Sequence, residues 1–509
     1  MLSRHTLECE MLILSYDLSL EDIAAVHGEI EAHERTVEAL ESEIHDVLRE
    51  ANRLRSARQQ HLDFIKRCKG MITLARRAPD EVLGQIFDQC AAAGWAKAPL
   101  VASHVCRKWR RAALAPRIWS RIHLNSDSLD PVGRTGFWLL RAAESDLYVT
   151  VDIRVLDPQL IRAMEMLIDR TAQWRTFNLH ARFVQQTQEI LGMCNRPAPQ
   201  LREVTVYTLA LALDGDENAE DLACLSETIQ HAPHLRTVST ICNKFPVAVP
   251  NQIRELSMEL VPFSTGPVAI MPVLTMLEKL LHLERLTLTV PSDFSEAIVF
   301  PAPDVPPAIL RELRILIINA YPGFNAFLRH VDTRELCRLH LRSSDAPLNF
   351  PHEDTGSSLR QFIDQCSPPL ELLELHDIDI PCGDFAHCFL NIPSLEELRL
   401  HETEIPNEAI ALLNGPTGAC PRLKRLDLRW CEQLSGRTLV DLVASKKPAA
   451  ADAEAARLDP IEDITVINCA LVKEGDVMAL ARMINCSVVA RNLDDHCQAA
   501  VTTSGTGSG

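Results

Sequence analysis

Residues 423–442 read LKRLDLRWCEQLSGRTLVDL, and the spacing of the leucines in that stretch decides the fold. Leu423, Leu426 and Leu428 fall three and then two apart. Successive side chains of a short strand point to opposite faces, so Leu426 and Leu428 enter the core while Arg425, Asp427 and Arg429 face the other way. Cys431, Leu434, Leu439 and Leu442 then supply an apolar stripe that turns back over the strand. A unit of this kind cannot bury its apolar face alone. Copies must stack, and stacked strands make a curved parallel sheet with helices outside.

The copies are present. Working outward, the L-x-x-L-x-L spacing recurs at Leu201-Val204-Val206, Ile253-Leu256-Met258, Leu283-Leu286-Leu288 and Leu313-Leu316-Ile318. It continues at Leu336-Leu339-Leu341, Leu370-Leu373-Leu375, Leu395-Leu398-Leu400 and Ile461-Ile464-Val466, with weaker copies at Trp119-Ile122-Leu124, Trp174-Phe177-Leu179 and Leu235-Val238. The pattern resembles the leucine-rich repeat, whose units run about 20 to 29 residues. Here the intervals from Leu283 to Ile461 are 30, 23, 34, 25, 28 and 38, so several units carry insertions. Residues 444–460, rich in Ala and Pro, read as one of them.

If the strands line a concave surface, the residues between the core leucines face it. Late in the array these are Arg338, His340 and Arg342; Glu374 and His376; Glu397, Arg399 and His401; and Arg425, Asp427 and Arg429. Arginine is a common anchor of protein interfaces, which makes this ladder the expected partner-binding surface. Its histidines predict binding that changes below about pH 6.5.

Composition agrees with a soluble repeat protein. The chain has 509 residues, 47% apolar and 24% charged, which excludes global disorder and leaves room for about three domains or one long array. Aromatics are 5%, so the core is aliphatic. A net charge of −18 argues against a surface given over to nucleic acid or anionic lipid. No apolar run approaches the roughly 20 residues of a membrane span. Glu8 and Glu10 interrupt any signal-peptide core. Sixteen cysteines contain no C-x-x-C pair and sit singly among aliphatic residues, as at Cys337 and Cys469. They read as reduced, buried thiols of a cytoplasmic or nuclear protein.

Upstream of the repeats, residues 19–69 hold no Pro and one Gly. Val37, Leu40, Ile44, Val47, Ala51 and Leu54 are spaced 3, 4, 3, 4 and 3, a coiled-coil seam. Leu20, Ile23 and Ile30 extend it with His27 in one position, which places a register slip near His33. Arg58 and His61 predict weaker pairing beyond. Residues 19–50 carry ten acids and two bases, and residues 51–77 eight bases and one acid. That split suits self-association by an antiparallel pair, although acids near a helix N-terminus and bases near its C-terminus also follow from the helix dipole.

Between helix and repeats lies a short helical module. Pro79 stands where a first helical turn tolerates it. Val82, Leu83, Ile86, Phe87 and Cys90 then mark one face of a helix that Gly94 ends. A second helix is expected to carry Leu100, Val101, Val105, Trp109 and Ala113 on one face before Pro116 breaks it. Three blocks stand in order: Pro79, Glu81, Val82, Leu83, Ile86 and Phe87; then Val105, Cys106, Arg107, Trp109, Arg110 and Ala113; then Pro116, Trp119 and Ile122. They resemble the F-box, in the form common among basidiomycete fungi, across about 50 residues. Ala78 and Ile118 stand where that family usually has Leu. The resemblance implies docking on a Skp-type adaptor and, through it, a cullin ubiquitin ligase, with Pro79, Val82, Leu83, Ile86, Phe87, Val105, Trp109 and Trp119 in the interface or its immediate core. It also likens Cys431 and Cys469 to the buried cysteine of the repeats found in many F-box proteins.

The expected organisation is a leader over 1–18, a coiled-coil helix over 19–69, an F-box over 73–120, an α/β leucine-rich-repeat solenoid over 121–492 and a disordered tail over 493–509. Catalytic signatures are missing: no phosphate-binding loop, no H-E-x-x-H, no G-x-S-x-G. Asp214, Asp216 and Asn218 begin like a calcium loop, but Ala219 and Leu225 replace the Gly and Glu it needs. Cys382, His387 and Cys388 lack a fourth metal ligand. The basic run Arg107–Arg111 reads as a solvated helix face rather than a nucleic-acid site. The expected function is a non-catalytic substrate adaptor without cofactor or metal. A coiled-coil and leucine-rich-repeat scaffold outside any ligase is the alternative.

Overall fold

The computed structural model describes residues 19–210, 231–261, 267–294, 298–343, 353–415, 418–446 and 459–489. The leader, the tail, the Asp214–Leu225 loop and most of the 444–460 insertion lie outside them. The chain divides into two compact units, one of residues 1–86 and 103–112, the other of residues 87–102 and 113–509.

In the first unit a single helix runs Leu20–Met71, 52 residues without a break. At 1.5 Å per residue it is about 78 Å long. Ion pairs one turn apart line it, among them Arg53 with Glu50 at 2.7 Å and Arg35 with Glu31 at 3.9 Å. Each such pair adds only a few tenths of a kcal/mol.

The helix expected after Pro79 spans Asp80–Ala92, with Asp80 and Glu81 in its first turn, where the helix dipole favours acids. Gly94, at φ +92°, turns the chain away as only glycine does freely. The single helix expected next is two. Ala98–Val105 and Arg107–Ala112 are separate, and Arg110 Nε donates to the Ser103 carbonyl at 2.8 Å across the break at Cys106. Val105 and Trp109 therefore do not share one continuous helical face.

Among the described residues of the second unit, fourteen strands form one sheet in chain order, every neighbouring pair parallel. Twelve are the strands read from the leucine spacing. The other two, Leu147–Ile153 and Asn485–Val489, are additional. The fold is thus mixed α/β, with a parallel sheet and helices consistent with a curved repeat solenoid.

Its register lines up the core. Leu286, Leu316, Leu339, Leu373, Leu398, Leu426 and Ile464 sit opposite one another on successive strands. All are buried. Helices return over them, several opened by a capping side chain: Asp130 accepts from Gly133 N at 2.8 Å and Asp157 from Leu160 N at 2.7 Å, each with Pro in the first turn.

The late repeats leave their strands by one device. Asp377, Glu402, Trp430 and Asn468, each two residues past the last core residue, have φ of 52° to 57°. Their reversed backbone sends Asp377 N to His401 O, Glu402 N to Arg429 O and Trp430 N to Ile467 O at 2.7 to 2.8 Å. The next residue turns inward, and after Glu402, Trp430 and Asn468 it donates to the preceding strand's end. Thr403 Oγ1 reaches Leu375 O at 3.4 Å, Cys431 Sγ reaches Leu400 O at 3.3 Å and Cys469 Sγ reaches Leu428 O at 3.7 Å. Cys431 and Cys469 are therefore buried structural donors, and the described cysteines are all free thiols.

Candidate functional site

Two surfaces carry the expected site residues. The first is the helix Asp80–Ala92 and the chain around it. Pro79, Val82 and Ile86 fall 3 and 4 apart on one stripe, and all three are exposed, Val82 to 43% and Ile86 to 48%. Leu83 and Phe87 point the other way and are buried. Val105 is exposed and Trp109 half-buried. The helix start is fixed by an ion pair between Asp80 and Arg111, and the Arg111 guanidinium holds the Asp80 carboxyl below its ordinary range. Lys108 Nζ donates to the Arg76 carbonyl at 2.9 Å. Three of the four bases in the 107–111 run, Lys108, Arg110 and Arg111, thus already have partners in the protein.

Trp119 lies deep inside the second unit. Its ring meets Phe137 and Trp138 edge-on, at 5.5 and 5.1 Å between centroids, and Nε1 donates to the Ala113 carbonyl at 2.6 Å. It is 1% exposed, so it supports the first strand, Arg121–Asn125, from beneath and offers no surface to a partner.

The second surface is the strand face, where register assembles two rows. His340, Glu374, Arg399 and Asp427 stand side by side on adjacent strands, and so do Arg342, His376, His401 and Arg429. The face is not uniformly open: Glu374 and His340 are buried beneath their neighbours, whereas alternation alone predicts solvent exposure. Glu374 is the hub. It accepts from His340 Nδ1 at 2.8 Å and Arg342 Nε at 2.5 Å, with Arg399 at 3.6 Å. Burial pushes its carboxyl up, but these donors outweigh it and hold the group well below the usual carboxylate range. A second cluster repeats the arrangement. Burial of Asp427 is outweighed by hydrogen bonds from His401 and Arg429, which bring it to about 2. Arg399 and Arg425 share Glu397 at 2.5 and 2.9 Å, while Arg338 is an exposed member of the same strand end.

Glu374, His376 and His401 bring ligand-type atoms within 4.8 Å of one another, the one such group among the described residues. Both Glu374 oxygens already face cationic donors, so a divalent ion would have to compete with guanidinium groups. The chemistry of this face suits carboxylate or phosphate groups better than cations. The structure does not bring Cys382, His387 and Cys388 together as ligands: His387 Nε2 faces Asp364 at 2.8 Å and Cys388 is buried.

At the opposite end of the strand face a cavity of about 180 Å³ is lined by Arg121, His123, Tyr148, Thr150, Thr176 and Asn178, among others. Arg121 stacks over the Tyr148 ring at 4.3 Å. Arg121 Nε, 3.7 Å from Asp88 Oδ1, and His123 Nε2 are buried without a protein hydrogen bond, and a cavity of this size has room for the water that would satisfy them. Sequence reading by the leucine spacing missed it, because Tyr148 and Thr150 belong to a strand without that spacing.

The F-box-like family model matches residues 79–125. The chain carries an F-box-like domain. No curated protein matches the sequence. An F-box-like domain supports a role as an adaptor of Skp–cullin–F-box ligases in general, with a Skp-type protein as the kind of partner and a non-catalytic part as the typical one. No helix among the described residues is long and apolar enough to cross a membrane.

Proposed function

We propose that the protein is the substrate-recognition subunit of a Skp–cullin–F-box ubiquitin ligase. The observation that carries this reading is the F-box-like match over 79–125, together with the uncovered apolar stripe of Pro79, Val82 and Ile86 inside it. Such a stripe offers a partner helix or groove a nonpolar contact. Val105 and Trp109 add to that contact, while Leu83, Phe87 and Trp119 hold the module's shape. The adaptor links the chain to a cullin.

The late strand face, a leucine-rich-repeat surface in this reading, holds the protein substrate. Arg342, His376, His401 and Arg429 form its half-buried row, and the exposed Arg338 and Arg425, with Arg399 and Asp427, its flank. His340 and Glu374 fix the row from below. Catalysis is then by proximity: a tethered substrate lysine meets a charged conjugating enzyme at high effective concentration. The work is done in the cytoplasm or nucleus.

The test is binding of the full chain to a purified Skp-type adaptor, with Val82→Asp/Ile86→Asp as the control. Both positions are exposed, so the variant should fold. Binding by the parent and its loss in the variant are expected. A folded parent that does not bind at micromolar adaptor would instead make the chain a repeat scaffold outside any ligase, the outcome that Ala78 in place of the family's Leu would then explain.

A further inference from the structure

The helix Leu20–Met71 displays apolar side chains to solvent on a regular seam. Ile30, Val37, Leu40, Ile44, Val47 and Leu54 are 46% to 62% exposed. A helix of this length left bare on one side calls for a partner. Because the helix is unbroken, the seam can be followed past both ends of its central stretch. The 3-4 spacing continues through His33, Ile30, Val26 and Ile23 on one side and through Arg58, His61, Ile65 and Cys68 on the other. No register slip is needed at His33, and Leu20 and His27 fall beside the seam rather than on it.

The middle of this seam coincides with the middle of the helix. The seam is centred between Ile44 and Val47, and the helix between His45 and Asp46. Two copies laid antiparallel about that centre overlap along their whole length. Ile44 faces Val47, Val37 faces Leu54, His33 faces Arg58 and Ile23 faces Cys68.

Charge selects this orientation. Residues 20–45 hold eight acids and one base, a net −7, and residues 46–71 hold seven bases and three acids, a net +4. A parallel pair would set −7 on −7, and would press Arg58 against Arg58 and His33 against His33 in the seam. An antiparallel pair sets −7 on +4, brings Arg58 beside Glu34 of the second copy, and opposes the two helix dipoles.

We propose that the long helix pairs with a second copy of this chain as a full-length antiparallel coiled coil centred between His45 and Asp46. The pairing makes the protein bivalent for whatever its two repeat surfaces bind. It stands or falls independently of adaptor binding.

The experiment uses the full chain. Light scattering during gel filtration should give a particle of twice 56.8 kDa. Leu40→Glu/Ile44→Glu, at two exposed central positions, should give 56.8 kDa with unchanged repeat-unit melting. Orientation is read by carbodiimide cross-linking of a mixture of ¹⁵N-labelled and unlabelled protein. Glu21 and Lys69 of one helix are about 72 Å apart at 1.5 Å per residue, so an amide between them must join two copies. Mixed-isotope links of Lys66 or Lys69 to Glu21 or Glu29 are expected. A monomeric parent at micromolar concentration, a higher oligomer, a dimer that survives the double variant, or a dimer without those links overturns the proposal. So do links from the seam's flanks to residues 1–18 in place of a second copy.

Discussion

Glu374 Oε1 lies 2.5 Å from Arg342 Nε, one strand away. Glu374 is 2% exposed, so this bond and the one from His340 are what make its charge tolerable inside the sheet face. Removing the carboxylate leaves His340 buried without its acceptor and Arg342 and Arg399 without their shared anchor. Glu374→Ala should therefore cost about 2–4 kcal/mol, between the loss of a charged hydrogen bond and the breaking of a buried pair. Urea unfolding of the repeat unit measures it. A cost below about 0.5 kcal/mol, the range of an ordinary surface substitution, would mean that the network does not hold the face.

Acid sensitivity follows from the same clusters. The folded protein holds Glu374 and Asp427 below their unfolded values, Asp427 at about 2. Groups of this kind contribute stability that is fully present above the unfolded carboxylate value near 4 and is lost as pH falls through the folded one. Melting temperature should thus fall steeply between about pH 4 and pH 2. Asp427→Asn should flatten that part of the profile by an amount on the order of 2 kcal/mol, because a shift of about two units is at stake. A variant and parent with the same slope in that window would contradict the assignment.

Within the F-box-like domain, exposure separates two kinds of apolar residue. Leu83 and Phe87 are 1% and 4% exposed, and truncating either to Ala should cost about 2–5 kcal/mol in stability. Val82→Asp and Ile86→Asp should leave melting within about 0.5 kcal/mol of the parent and lower adaptor binding instead. Trp119→Ala belongs with the first group: it removes a ring wedged between Phe137 and Trp138 and should cost about 3–5 kcal/mol. Thermal melts run beside titration calorimetry with the adaptor would place each residue.

Much of this was legible in the sequence, for a physical reason. The L-x-x-L-x-L spacing is a direct imprint of a strand with one buried face, so Leu398, Leu426 and Ile464 could be placed opposite one another before any coordinates. The strand Leu147–Ile153 escaped because it alternates, buried and half-buried along its length, without the leucine three residues ahead. Its burial comes from neighbours on both sides rather than from its own signature. Alternation put His340 and Glu374 on the outward face but could not show that Arg342, two residues along the neighbouring strand, and Arg399, in register on the other side, would reach the shorter carboxylate. The break at Cys106 carried no Pro or Gly to announce it. The seam of the long helix reads with a slip near His33 in sequence, because a histidine there interrupts its apolar character without interrupting its 3-4 spacing.

The last prediction concerns the repeat's turning point. Thr403, Cys431 and Cys469 occupy equivalent positions three residues past their last core residue, and each donates to a carbonyl at the end of the preceding strand. In these three repeats the position holds a small side chain with a donor, and sulfur is one of two ways to supply it, whereas Ile378 fills the equivalent place with an apolar side chain. Cys431→Thr should keep the bond to Leu400 O and cost under about 1 kcal/mol, since Thr403 already shows the hydroxyl in the same setting. Cys431→Ala removes this second donor to a carbonyl that the strand ladder also engages, together with the sulfur's volume, at a cost of about 1–2 kcal/mol. Unfolding the two variants side by side separates a hydrogen-bonding role from simple filling. If Ala proves the milder change, the thiol is there for volume, and the bond to Leu400 O contributes nothing measurable.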